Sequence, residues 1–515
     1  MTHADAYPDD HDRRLESQVR PADWRAPAVR DRYHLVILGG GPAGLVAAAG
    51  AAGLGARVAL VESQRLGGDC LNAGCVPSKA LLQAARVAAT VRDAHRLAVS
   101  PNGAARVAFS AVMERMRRLR ADLAVHDSAA RFRELGVDVF FGRGAFVDGE
   151  TLEVDGKHLR FHRALIATGA RASDGGLAGF AAAGCLTNET IFSLTELPRR
   201  LVVLGAGPIG CELAQCFARF GALVTQLERG ARILPRDDEQ AAILVQESLR
   251  YDGVEFLPQA TVEQVQLGGL SQGSGKDAVR EVVFMQGGER QRVEADAVLV
   301  ALGRVPNVEG LNLEAAGVQA DPRHGVQVND FLQTTNRRIY AAGDVCSRYQ
   351  FTHAADAMAR LVLRNALFGG RGRVSQLWIP WCTYTSPEVA HLGPSPDELA
   401  HDTSLQSYSV DFQQLDRAVL SGESTGFARV HVRKGTDRIV GATIVGELAG
   451  DLMGQLSLAA THGIGLRQFA STIYPYPTHA EVFRKLGDQF NRTRLTPWVR
   501  RLLAAWMRLR VGRAD

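Results

Sequence analysis

One pattern occurs twice in this chain, and it limits the fold more than any other feature. An apolar run at residues 34–38 leads into Gly39-Gly40-Gly41-Pro42-Ala43-Gly44 and an alanine-rich stretch, and a second apolar run from Val58 ends in Glu62. The pattern returns at residues 201–204, Gly205-Ala206-Gly207-Pro208-Ile209-Gly210, and a run from Leu223 that ends in Glu228. The distance from first glycine to closing acid is the same in both copies. Alone, such a glycine fingerprint is weak. With a buried strand before it, a helix after it and an acid ending the next strand, each copy reads as a βαβ dinucleotide site. Gly39, Gly41, Gly44, Gly205, Gly207 and Gly210 let a pyrophosphate approach a helix N-terminus, and Pro42 and Ala43 open the first helix. Glu62 and Glu228 are placed to hold ribose hydroxyls. Two nucleotide sites in one chain suit passage of a hydride between two cofactors.

Directly after the first copy come Cys70-Leu71-Asn72-Ala73-Gly74-Cys75-Val76-Pro77-Ser78-Lys79. A regular helix would part the two cysteines by about 7.5 Å along its axis, beyond the roughly 4.4–6.8 Å Cα span of a disulfide. A bridge therefore calls for an irregular loop, for which Asn72, Ala73 and Gly74 are suitable residues. Pro77 fits the first turn of a following helix, where its missing N–H costs nothing. A thiolate at that helix start is favoured by unpaired amides and the helix dipole. The plainer readings are two buried thiols near a turn, or half of a metal site, although no second cysteine pair has metal-ligand spacing.

This cysteine motif, placed behind a nucleotide fingerprint, closely resembles the redox-active segment of the FAD-dependent, class I pyridine nucleotide–disulfide oxidoreductases. That family includes dihydrolipoyl dehydrogenase, glutathione reductase and mercuric reductase, and the likeness extends over roughly residues 33–490. The resemblance implies that Cys70 exchanges with substrate while Cys75 lies against the flavin as a thiolate. It assigns FAD to the first nucleotide site and NAD(P)H to the second. Glu228 leans the choice towards NADH because an acid repels a 2′-phosphate, although Arg229 and Arg232 follow it. Lys79 and Glu212 match an ion pair that the family sets beside the flavin. Thr168 and Gly169 end a strand returning to the FAD domain, Gly303 ends the strand leaving the NAD(P) domain, and Gly343-Asp344 matches a second flavin motif with Asp344 at the ribityl chain.

The implied architecture is α/β: two Rossmann-like domains for FAD and NAD(P), then an α+β dimerisation domain. Residues 1–30 read as a mobile N-terminal arm, 31–170 and 306–375 as two parts of the FAD domain, and 171–305 as the NAD(P) domain. Residues 376–490 are the dimerisation domain, through which two subunits complete each other's active sites, and 491–515 form a basic tail. Val137 to Phe141 and Thr151 to Val154 look like strands of a small sheet. Arg115, Arg117, Arg118 and Arg120 read as a solvated helix face. In the tail, Trp498, Leu502 and Trp506 fall at helical spacing among Arg500, Arg501, Arg508 and Arg510. Such a helix can lie on a membrane as a peripheral contact, and packing within its own dimer is the plainer account.

Composition narrows the partners. A net charge of +4 over 515 residues offers no basic field for nucleic acid. The 7 cysteines are odd in number and scattered, which suits a reducing compartment with one catalytic bridge. Cys185, Cys211, Cys216, Cys346 and Cys382 read as core thiols. No apolar run approaches the roughly 20 residues needed to span a bilayer, and the first 30 residues lack the apolar core of a secretory signal. The expectation is a cytoplasmic homodimer.

The resemblance breaks in one place. Dihydrolipoyl dehydrogenase and glutathione reductase carry a His-Pro-Thr segment whose histidine pairs with a glutamate as acid–base for the dithiol. Here Tyr476-Pro477-Thr478 stands in that position, Glu481 keeps its place, and His479 is off the motif and reads as facing solvent. Mercuric reductases resemble this chain in having the tyrosine, yet they add a vicinal cysteine pair near the C-terminus that this chain lacks. The expected activity is transfer of electrons from NAD(P)H through FAD and Cys70–Cys75 to a thiophilic metal ion or another small acceptor. Dihydrolipoyl dehydrogenase or a related disulfide reductase is the alternative, and a flavin-binding redox sensor with little turnover is a second.

Overall fold

The computed structural model describes residues 9–100, 106–268 and 279–511. The glycine-rich stretch at 268–277, expected to be a flexible loop, lies outside these residues apart from Gly268. The described residues form two compact units, one from 9–94, 100, 106–233, 249–268 and 279–377, the other from 95–99, 234–248 and 378–511.

The first unit holds both fingerprints. Tyr33–Leu38 lies between Val58–Glu62 and the long strand Lys157–Ile166, parallel to each, and Ile339–Ala341 adds beyond Lys157–Ile166 in the same sense. Where they pair side by side, residues 35–38, 58–61, 164–166 and 339–341 are almost wholly apolar because a parallel sheet is covered on both faces, whereas the first half of Lys157–Ile166 alternates exposed and buried residues. One face packs Val36, Leu38, Phe161 and Ile339 against Leu311, Leu313 and Val318. Val137–Phe141 corrects the expected small sheet: it joins the main sheet as a parallel edge beside Val58–Glu62. Thr151–Val154 instead forms an antiparallel meander with Gly144–Phe146 and Lys157–Ile166. The second fingerprint builds its own parallel sheet, Val254–Leu257, Leu223–Leu227, Arg200–Leu204 and Ala297–Val300. A short antiparallel pair, Ala170–Ala172 with Arg304–Pro306, joins the strands that enter and leave that domain.

The N-terminal arm is corrected over its described part. Asp10–Val19 is a helix capped by the Asp9 carboxylate, which accepts the His11 and Asp12 N–H groups, and it buries Leu15 and Val19. The arginine face is corrected with it. Arg117 and Arg120, on Phe109–Leu123, bond Asp9 and Asp12 at 2.6 Å each, so acids of the N-terminal segment cover part of the face read as solvated.

The second unit is an antiparallel sheet ordered Pro380–Thr383, Glu388–Leu392, Ile439–Gly446, Phe427–Arg433 and Leu405–Asp411. Ala449–His462 and Glu481–Thr493 contribute Leu452, Leu456, Val482, Phe483 and Leu486 to its core.

Candidate redox site and nucleotide cradles

The two cysteines sit on two helices, which corrects the expected irregular loop. Cys70 lies in the short helix Gly68–Ala73, and Cys75 is the first residue of Cys75–Asp93. Only Gly74, with φ −132° and ψ −113°, breaks the helical path. A Cβ there would fall 2.9 Å from the Asp69 carbonyl oxygen, so a larger residue would force the two helices apart. Asn72 fixes the first helix by donating to the Leu66 and Gly68 carbonyls at 3.1 and 2.8 Å. Pro77 falls in the first turn of the second helix, as its chemistry requires. Both cysteines are free thiols, with Cys75 open to solvent and Cys70 half-buried.

Their environments separate their acidities. The Cys75 thiol is pulled down to about 6, first by its hydrogen-bond coupling to Cys70, then by the Thr352 hydroxyl and the Lys79 ammonium. Thr352 Oγ1 lies 3.4 Å from Cys75 Sγ and is itself the first residue of Thr352–Phe368. The sulfur thus belongs to one uncapped helix N-terminus and touches the start of another, and both favour a thiolate. Cys70 is pushed well above the ordinary thiol range by the same coupling and by burial. Lys79 Nζ bonds Glu212 Oε2 at 2.9 Å, linking the helix Cys75–Asp93 to Pro208–Phe220.

Around the first cradle, Gly39 takes φ +113° with the Ala167 carbonyl so close that a Cβ would lie 2.2 Å from its oxygen. A Cβ on Gly44 would lie 1.8 Å from the Gly39 oxygen, which is why the helix can start so near the strand. Gly41 caps Pro42–Gly53 without any side-chain bond, leaving first-turn N–H groups for a ligand. Ala43 lies against Gly343, and Asp344 follows with a largely buried carboxylate. Burial pushes the Asp344 carboxyl up to about 6, and Arg304, 3.7 Å away, opposes that rise. Among the described residues no donor hydrogen-bonds it. A buried acceptor awaiting hydroxyl donors, beside a glycine cradle with free amides, fits FAD.

The second cradle repeats the design. Gly207 caps Pro208–Phe220 with no side-chain bond, and a Cβ on Gly210 would lie 2.2 Å from the Gly205 oxygen. Glu62 accepts the Gly40 and Gln64 N–H groups at 2.6 Å each, and Glu228 accepts Ala206 and Gly230 at 2.8 and 2.7 Å. Each acid therefore braces its own glycine turn. Thr168 and Asn307 exchange hydrogen bonds at 2.7 and 2.9 Å beside Gly169, while Gly169 and Gly303 take positive φ at the two crossings between domains.

In the second unit Tyr476 is 72% exposed, and its hydroxyl donates to Asp416 Oδ2 at 2.8 Å. That bond raises its pKa. Glu481 is buried and engages Arg484 and Lys485, at 2.5 and 3.8 Å. His479 corrects its expected place: it is buried near the Phe412 ring, and burial lowers its pKa.

Sequence reasoning missed Arg304, Asp69, Asn188 and Thr352. Arg304 bridges Asp69 at 2.8 Å and lies beside Asp344, and Asn188 donates to the Ala73 carbonyl at 3.1 Å, so both pin the redox helix. A charged residue directly after the strand-ending Gly303 was a readable signal for Arg304. Thr352 carried none, because only the fold brings it to Cys75.

The family model for pyridine nucleotide-disulphide oxidoreductase matches residues 33–359, and the model for the dimerisation domain of these proteins matches 379–486. The chain is 34% identical over 465 residues to mercuric reductase of Lysinibacillus sphaericus, covering 90% of this chain and 83% of that protein. It is 32% identical over 461 residues to dihydrolipoyl dehydrogenase of Bacillus subtilis (strain 168), covering 88% and 97%. Its fold is similar to the HOCl-induced flavoprotein disulfide reductase RclA of Escherichia coli in complex with Cu(II). The TM-score is 0.76 at 26% identity, over 89% of this chain and 100% of that one.

Proposed function

Since the chain belongs to the pyridine nucleotide–disulphide oxidoreductases, we propose that this FAD- and NAD(P)H-dependent enzyme spends its electrons on a thiophilic metal ion or another small electrophile. In this reading Gly39, Gly41, Pro42, Ala43, Gly44, Glu62, Thr168, Gly169, Gly343 and Asp344 hold FAD. Gly205, Gly207, Gly210, Glu228 and Gly303 serve the nicotinamide coenzyme. Bound FAD supplies a two-electron carrier between the coenzyme and the cysteine pair. Near neutral pH, two electrons and one proton open the Cys70–Cys75 disulfide to the Cys70 thiol and the Cys75 thiolate. An acceptor taking two electrons closes it again and releases that proton.

The chain's own groups divide that work. Cys70 meets the acceptor, and Cys75, ionised above a pH of about 6, stays as the internal thiolate. Lys79, held by Glu212, keeps positive charge beside it. The two cysteines need a second copy of the chain to complete their acceptor site, in line with the dimerisation domain at 379–486.

The observation that carries the acceptor reading is the Tyr476–Asp416 bond. A dithiol or disulfide substrate needs a proton carrier that works near neutral pH, and histidine supplies one at a pKa of about 6.5. Tyrosine starts near 10, and its bond to Asp416 raises it further. A metal ion needs the Cys70 sulfur and little proton traffic. Mercuric reductases among the relatives, and copper on the RclA neighbour, add chemical support. The test is a side-by-side acceptor panel on wild type and Tyr476→His. Wild type should turn over Hg(II), another thiophilic ion or a quinone at least about tenfold better than lipoamide or glutathione disulfide, and the variant should gain lipoamide activity. Without a C-terminal cysteine pair, mercuric turnover should be slower than in a full mercuric reductase. Efficient lipoamide turnover by wild type, unchanged in the variant, would transfer the reading to dihydrolipoyl dehydrogenase.

A further inference from the structure

The last described helix has no place in this chemistry. Pro497–Val511 is 15 residues long, about 22 Å, and none of its residues from 497 to 510 is buried. At 100° per residue, Trp498, Leu509, Leu502 and Trp506 fall within one quarter of the helix circumference. Arg500 falls opposite this stripe, and Arg501 and Arg508 lie along one flank of it, roughly 100° and 120° from its centre. The apolar side is open: Trp498, Leu502, Trp506 and Leu509 are 69%, 55%, 56% and 83% exposed. Arg510 lies at the edge of that stripe with its guanidinium over the Trp506 ring at 5.2 Å. From residue 489 to 511 there is no acidic side chain, while Arg492 and Arg494 precede the helix.

We propose that this helix docks the enzyme onto a membrane surface rich in anionic lipid. A water-facing helix has no reason to expose two tryptophans and two leucines along one stripe, and a spanning helix needs about 20 apolar residues. No helix among the described residues is long and apolar enough to cross a membrane. An interfacial helix accounts for both facts. Tryptophan rings favour the headgroup level, leucines enter the acyl boundary, and the arginines flanking the stripe meet phosphate. The charge argues for lipid over a second copy, because two copies of an acid-free arginine helix repel one another. Each arginine near an anionic surface adds about 1 kcal/mol, roughly fivefold in partition.

The test is flotation of the full-length holoenzyme with large vesicles of phosphatidylcholine, with and without phosphatidylglycerol at about one lipid in three. Wild type should float with the anionic vesicles, stay behind with pure phosphatidylcholine, and release as salt is raised. Trp498→Ser with Leu502→Ser and Trp506→Ser should abolish flotation; these side chains are already exposed, so the fold is spared. Arg500→Gln with Arg501→Gln and Arg508→Gln should weaken partition by roughly a hundredfold. Both variants should keep wild-type turnover with a soluble acceptor. Failure of wild type to float, or equal flotation by the triple serine variant, overturns the proposal. Sedimentation of the same proteins then shows whether the stripe joins copies of the chain instead.

Discussion

The two nucleotide cradles share a plan down to the acid that braces each turn, and they differ in what lies on top. At the first, the redox helix presses on the fingerprint: a Cβ on Gly68 would fall 2.6 Å from the Gly41 Cα. Glu62 is buried there, with its carboxyl pushed up by burial. At the second, a Cβ on Gly207 would meet nothing within 4 Å, Ile209 is 37% exposed and Glu228 is half-buried. One internal repeat thus yields a closed cradle suited to a resident cofactor and an open one suited to a coenzyme that comes and goes. The difference comes from the inserted Cys70–Cys75 segment, not from the fingerprint itself.

That contrast breaks most sharply at equivalent glycines. Gly44→Ala should cost the protein its flavin, with bound flavin per chain falling at least about tenfold after gel filtration, because the new methyl meets a carbonyl that cannot retreat. Gly210→Ala should keep its flavin and weaken NAD(P)H binding by a similar factor. Equal flavin loss in both would erase the distinction. A smaller effect concerns charge beside the closed cradle. Alkylation of Cys75 should fall as pH drops through about 6, since its depressed pKa keeps the reactive thiolate above that value. Lys79→Met should move this midpoint upward and lower turnover about tenfold. A midpoint unmoved in the variant would remove Lys79 from the account. The smallest effect sharpens the open cradle. NADH should be preferred by roughly tenfold in kcat/KM, about 1.4 kcal/mol, and Glu228→Ser should narrow that gap. A tenfold preference for NADPH would assign the 2′-position to Arg229 or Arg232.

Much of this was legible in residues at fixed spacing. The paired fingerprints lie where backbone geometry allows few substitutes, so their types and intervals carry the fold, whereas the roles of the cysteine motif and of the Lys79–Glu212 pair were legible through the resemblance to the family. The N-terminal segment was misread because its composition is polar, while its order comes from long-range pairing of Asp9 and Asp12 with Arg117 and Arg120. The redox loop was misread because one glycine, Gly74, breaks the path that sequence spacing suggested needed several irregular residues. Thr352 and Asp416 could not be found at all. Each acquires its role from a partner far away in sequence, Cys75 and Tyr476 respectively. His479 shows the opposite error: distance from a motif says nothing about burial.

The most direct test counts thiols. The oxidised holoenzyme is mixed anaerobically with one equivalent of NADH or NADPH, quenched by alkylation, and mapped by mass spectrometry before and after addition of Hg(II). Two new labels should appear, at Cys70 and Cys75, and the metal ion should remove both as it is reduced. Steady turnover of the metal ion with neither cysteine ever labelled would contradict this expectation.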